Sequence, residues 1–139
     1  MKFLLDTCII SELMAKRPNQ AVMQWIDSVD EDRLYLSVIT IGEIRKGIAK
    51  LADSPRKLEM QEWLSDHLLS RFGDRIVVID TGVMSDWGQL VGNLERVGKS
   101  MPLMDSLIAA TVLHGDFVLV TRNEADFESA DVRMLNPFK

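Results

Sequence analysis

Three carboxylates stand in apolar surroundings, where an unpaired charge is expensive. Asp6 ends Phe3-Leu4-Leu5, Glu43 follows Val38-Ile39-Thr40-Ile41-Gly42, and Asp105 precedes Ser106-Leu107-Ile108-Ala109-Ala110. A buried ionised carboxylate is tolerated when it is paired, richly hydrogen-bonded or bound to a metal. No lysine or arginine lies between Phe3 and Leu13, so Asp6 must find its partner elsewhere in the fold. Acids that meet in one crevice raise one another's pKa and need cations to remain ionised together. Oxygen-only ligation selects hard cations, with Mg²⁺ keeping several waters and Mn²⁺ a substitute. A cation held this way polarises a phosphoryl oxygen and activates a water, which is the chemistry of phosphodiester hydrolysis.

The periodicity of the chain predicts the elements that position these acids. Lys2 to Asp6 reads as a buried strand followed by a helix through Leu13, and Asn19 caps a helix ending near Val29. Leu34 to Ser37 is a short strand, Val38 to Ala52 a helix, and Ser54-Pro55 opens a helix running towards Arg71, closed by Gly73. Ile76 to Ile79 reads as a strand, and Val83, Met84, Trp87, Leu90, Val91, Leu94 and Val97 mark a long amphipathic helix. Pro102 opens the helix Leu103 to Leu113, Phe117 to Val120 is a central strand, and Val132 to Leu135 adds an edge strand. Strands separated by helices predict an α/β fold, a three-layer α/β/α arrangement around a mostly parallel sheet, as one domain over residues 1–139. Ligands of such sheets bind beyond the carboxyl ends of the strands, where strand order reverses. Asp6 and Thr121-Arg122-Asn123 both lie at that level. Asp105 falls in the first turn of its helix, where free N–H groups favour negative charge. Glycines 42 and 47 would let another element approach the face that carries Glu43.

Composition narrows the function classes. The 139 residues are 47% hydrophobic and 27% charged, which is the balance of a globular protein large enough to bury its own core. Cys8 is the only cysteine, so no internal disulfide is expected. The first residues lack the basic segment and cleavage site of a secretory signal, so a cytoplasmic location is expected. Apolar runs break well short of the roughly 18 residues a membrane span needs. The formal net charge of −5 argues against a general phosphate-backbone binder, though not against nucleic acid as substrate. A glycine-rich dinucleotide fingerprint and a phosphate-binding loop are both missing.

Four blocks carry a family resemblance. Leu4-Leu5-Asp6-Thr7 with Ile10-Ser11-Glu12, Ser37 to Glu43, Asp105 to Ala110, and Val120-Thr121-Arg122-Asn123-Glu124-Ala125-Asp126-Phe127 resemble the PIN-domain ribonucleases, most of all the VapC toxins of type II toxin–antitoxin systems and their FitB-like branch. The likeness extends to the closing Asn136-Pro137-Phe138. It implies that Asp6 and Asp105 are the principal Mg²⁺ ligands, that Glu43 is a third acidic member, and that Thr7 orients a ligand or water through its hydroxyl. Many relatives carry Thr-Arg-Asp after the last central strand, whereas this chain has Asn123 in that slot and Asp126 three residues on, so either Asn123 leaves the site with three carboxylates or Asp126 restores a fourth. The resemblance further implies RNA as substrate, a homodimer, a small DNA-binding antitoxin whose C-terminal segment occupies a groove, and contact with operator DNA only through that antitoxin.

Each residue also has an ordinary structural role to weigh. Asp6 suits a helix cap, Asp105 a dipole-stabilising position, Glu43 a surface pair with Lys46 or Lys50, and Asn123 with Asp126 a turn. Arg122 adjoins the crevice, and its fork could clamp a phosphate. The basic strip Arg45, Lys46, Lys50, Arg56 and Lys57 either contacts phosphates or simply faces solvent. Cys8 reads as a small core residue, and His67 and His114 lack metal-ligand spacing. A haloacid-dehalogenase-like phosphatase needs a second aspartate two residues after the first, where this chain has Cys8. The non-enzymatic alternative is a catalytically weak PIN-like module that binds RNA or protein, and Asn123 favours it.

Overall fold

Asp6 and Ser37 each follow or end a strand and cap the helix that comes next, so two chain reversals are made without a loop. In the computed structural model, which describes residues 1–139, β1 (Lys2–Leu5) passes through Asp6 into α1 (Thr7–Met14), and β2 (Leu34–Ser37) runs directly into α3 (Val38–Ala49). Asp6 Oδ1 accepts from the Thr7 N–H at 2.8 Å, and Ser37 Oγ accepts from the Ile39 N–H at 3.0 Å. Between them lies α2 (Gln20–Ser28), capped by Asn19. Helix α4 (Pro55–Glu62) continues through a π-helical stretch, Trp63–Leu68, into α5 (Leu69–Phe72). The remaining elements are β3 (Ile76–Val77), α6 (Thr81–Arg96), α7 (Leu103–Gly115), β4 (Phe117–Val120), α8 (Glu124–Phe127) and β5 (Met134–Leu135).

The five strands are all parallel, in the order β3-β2-β1-β4-β5. Chain order therefore reverses direction at β1, and the switch point falls between β1 and β4. Side chains alternate across the sheet as the strand period requires. Phe3, Leu5, Leu34, Leu36, Val118 and Val120 join the core formed with the α1 to α5 side, while Leu4, Phe117 and Leu119 join a second core with Ile108, Ala109 and Val112 of α7. This is the three-layer arrangement expected from the sequence.

Three expectations shift in detail. The strand expected over Ile76 to Ile79 stops at Val77, because its register partner Ser37 is the last residue of β2 and Val78 has no neighbour to pair with. The edge strand shortens to Met134–Leu135. A four-residue helix, α8, forms where only a turn was read. No helix is long and apolar enough to cross a membrane.

Candidate active site

Parallel pairing places Leu5 opposite Val120, so the next residues along, Asp6 and Thr121, meet at the carboxyl end of the sheet. The Thr121 hydroxyl donates to Asp6 Oδ2 at 2.9 Å and accepts from the Asn123 N–H at 3.0 Å. With the Thr7 N–H on Oδ1, both Asp6 oxygens are hydrogen-bonded, although the residue is only 7% exposed. Asp6 is thus a helix cap and a candidate site residue at once.

Glu43 enters from α3. Its Oε1 accepts from the Thr7 hydroxyl at 2.7 Å, and Thr7 Oγ1 lies 3.2 Å from the hydroxyl of the fully buried Thr40. Neither Lys46 nor Lys50 pairs with Glu43, so the surface-pair alternative does not hold. Asp105 occupies the first turn of α7. That turn is pinned by the Trp87 indole, which donates to Ser106 Oγ at 2.9 Å, while Ser106 donates to the Leu103 carbonyl at 2.7 Å.

Electrostatics tie the acids together. Burial foremost, then the charges of Glu43 and Asp126, hold the Asp6 carboxyl above its ordinary value despite the Thr121 and Thr7 hydrogen bonds. Burial, then Asp126, Asp6 and Glu43, do the same for Asp105. The charges of Glu43 and Asp126 therefore reach both Asp6 and Asp105. Asp126 and Asn123 are exposed on or beside α8, and the Asn123 side chain caps nothing. No three acidic, histidine or cysteine side chains close around a single point. An all-oxygen donor set with uncompensated charge nevertheless fits a hard divalent cation that takes one or two carboxylates and keeps its waters.

Arg122 does not face the acids. Its guanidinium stacks 3.8 Å from the Phe138 ring centroid and pairs with Glu12 at 3.7 Å, so the phosphate-clamp role expected of it needs a change of rotamer. Burial pushes the Cys8 thiol up, consistent with a packing residue rather than a nucleophile. His114 pairs with Asp86 across α6 and α7, where its ring occupies the space a side chain at Gly82 would need. The parts played by Thr121 and Thr40 were not anticipated from the sequence. The signal for Thr121 was a hydroxyl one step beyond a buried strand, opposite Asp6 once β1 and β4 are paired in parallel.

Two clefts lie beside α4, and one of them reaches the acids. One, of about 330 Å³, is lined by Leu13, Met14, Met60 and Trp63. The other, of about 320 Å³, shares Met14 and Met60 and reaches Thr7 and Glu43.

Two predictions arise here. Thr121→Val leaves a buried carboxylate oxygen without its donor and is expected to lower stability by about 1–3 kcal/mol in urea denaturation, with Thr121→Ser restoring it. Asp105 has a folded-state pKa above the unfolded value, so the folded state binds more protons and stability falls as pH rises through the raised value. Without divalent cations, Asp105→Asn is therefore expected to unfold at a higher temperature than wild type at neutral pH, with the gap closing as pH falls towards about 4. A gap independent of pH would assign the effect to something other than charge.

A three-layer α/β/α protein with an acidic crevice at its topological switch point is the class that fold and site define. The PIN-domain family model matches residues 3–132, and the chain belongs to that family. It is 36% identical over 135 residues to Toxin FitB of Neisseria gonorrhoeae, covering 97% of each chain, and 33% identical over 135 residues to VapC ribonuclease Y4jK of Sinorhizobium fredii, covering 97% of this chain and 96% of that one. The solved structure of FitAB bound to an IR36 DNA fragment superposes with a TM-score of 0.91 at 34% identity, covering 99% of this chain and 96% of the other.

Proposed function

We propose that this chain is a Mg²⁺-dependent endoribonuclease, the toxin of a type II toxin–antitoxin pair, acting as a single PIN domain in the cytoplasm and as a homodimer. The observation that carries the reading is that Asp6, held by Thr121 at the carboxyl end of β1, and Glu43, held by the neighbouring Thr7, stand side by side at the switch point, with the charges of Glu43 and Asp126 acting on both Asp6 and Asp105, in a chain of the PIN family. Asp6 and Asp105 would hold Mg²⁺, with Mn²⁺ as substitute. When bound, the cation supplies charge neutralisation at the phosphate and activation of a water. Thr7 holds Glu43 by Oε1, leaving Oε2 to accept a proton, and Thr121 keeps Asp6 aimed into the crevice. Asp126 adds negative charge from α8, and Asn123 offers a carbonyl oxygen to a water or ligand. Arg122, released from Phe138, would meet a phosphate.

The paired clefts beside α4 support an inhibitory partner. An extended or helical antitoxin segment lying over Met14 and Met60 would end at Thr7 and Glu43 and obstruct the acids. Operator DNA would then be contacted through the antitoxin, as befits a toxin of net charge −5.

Cleavage of RNA by the antitoxin-free chain with Mg²⁺ or Mn²⁺, paired with calorimetric titration of each metal, tests the reading. Cleavage together with binding is expected. Undetectable binding of both metals would instead favour a catalytically weak PIN-like module that binds RNA or protein.

A further inference from the structure

A different groove leaves the crevice on the α7 side of Glu43. It measures about 570 Å³, with Glu43 and Lys46 of α3 and Lys50, the residue that ends that helix, on one wall and Ile79, Met104 and Leu107 on the other. That is within the range of built ligand sites, roughly 300–1,000 Å³. Gly42 and Gly47 also line it and leave open space where a Cβ would stand.

The basic strip noted in the sequence divides in the structure. Arg56 is engaged by Glu59 and the Met14 carbonyl, and Lys57 by Asp53 and the Leu51 carbonyl. Lys46 and Lys50 are exposed and form neither an ion pair nor a side-chain hydrogen bond. Positions 43, 46 and 50 share a helix face, and four residues of helix separate the two ammonium-bearing positions by about 6 Å along the axis. One sugar-phosphate unit covers that distance. The opposite wall is apolar, so a base can pack there without being read by hydrogen bonds.

We propose that single-stranded RNA runs from the acidic site along this groove, with Lys46 and Lys50 each neutralising one backbone phosphate beyond the scissile bond. The proposal rests on the ribonuclease reading above. It accounts for two unpaired cations beside an acidic centre in a chain that is acidic overall.

Affinity for a single-stranded RNA oligonucleotide, measured across a salt series in an Asp105→Asn background that leaves the RNA uncut, tests it. Each phosphate contact to a single strand contributes a slope of about −0.7 in log K against log salt, so Lys46→Gln/Lys50→Gln is expected to reduce the slope by about 1.4, while Lys57→Gln leaves it unchanged. In the active enzyme the same double substitution should raise KM with little change in kcat, and circular dichroism should show an unaltered fold. An unchanged slope, with wild type still cutting RNA, overturns the groove assignment and leaves the ribonuclease reading intact. Loss of dimer in light scattering with an unchanged slope assigns the groove to a second copy and likewise overturns it. Failure of wild type to cut RNA with either metal sinks the underlying reading instead.

Discussion

Asp6→Asn and Asp105→Asn are each expected to lower RNA cleavage by about a thousand-fold while the chain stays folded. Stabilisation of transition-state charge by a held cation is worth several kcal/mol, and each 1.4 kcal/mol is roughly tenfold in rate. The two substitutions differ in structural consequence. Asp105 accepts no hydrogen bond in the structure, so its amide analogue removes charge and little else. Asp6 is buried between two donors, and an asparagine there keeps the Thr7 N–H bond while the Thr121 hydroxyl must turn to accept from the amide. Single-turnover cleavage, with metal titration by calorimetry on the same samples, is the check. The double variant should be scarcely worse than either single one, because residues that hold one ion fail as a unit. Cleavage within about tenfold of wild type would remove that residue from the ion-holding role.

Phe127→Ala is expected to be the most destabilising single change near the site, by about 3–5 kcal/mol. Helix α8 is four residues long, far too short to persist by its own hydrogen bonds. It is held by the Phe127 ring, 1% exposed in the second core, and by Glu124, which accepts from Asn136 at 3.2 Å and pairs with Lys139 at 2.8 Å. Asp126 sits between these two anchors, so the place proposed for it beside the other acids depends on a neighbour whose ring is buried in the core. Scanning calorimetry should show the midpoint fall by roughly 10–20 °C, and Phe127→Leu by much less. At a temperature where the Ala variant is still folded, cleavage should also fall. A stability loss below about 1 kcal/mol would place the anchor of α8 elsewhere.

The layered fold was readable from hydrophobic periodicity because its strands are short apolar runs and its helices carry their own caps. Asn19, Ser54 and Asp80 cap the helices they precede, each by accepting from the N–H three residues on. The π-helical stretch was not readable, since no glycine or proline interrupts Arg56 to Phe72. Neither was the end of β3, which depends on the length of a partner strand rather than on its own residues. Asp6, Glu43 and Asp105 were conspicuous as charges in apolar stretches. Which groups satisfy them was hidden, because Thr121 reaches Asp6 through strand register and Thr7 reaches Glu43 through helix packing, neither of which local spacing encodes.

The order of strands in space also bears on when the protein becomes dangerous during synthesis. β1 is made more than a hundred residues before β4, the neighbour that completes the crevice beside it, and β4 is followed at once by Thr121 and Asp126. Until then β1 lacks one neighbour and presents an open edge. A ribosome-bound or prematurely terminated chain lacking residues 117–127 retains Asp6, Glu43 and Asp105, yet has neither the strand that aligns Asp6 nor the hydroxyl that holds it. The acidic crevice is thus assembled only once β4 and α8 have been made, well after β1, and a cell making this protein meets no activity from that crevice before residues 117–127 have left the ribosome.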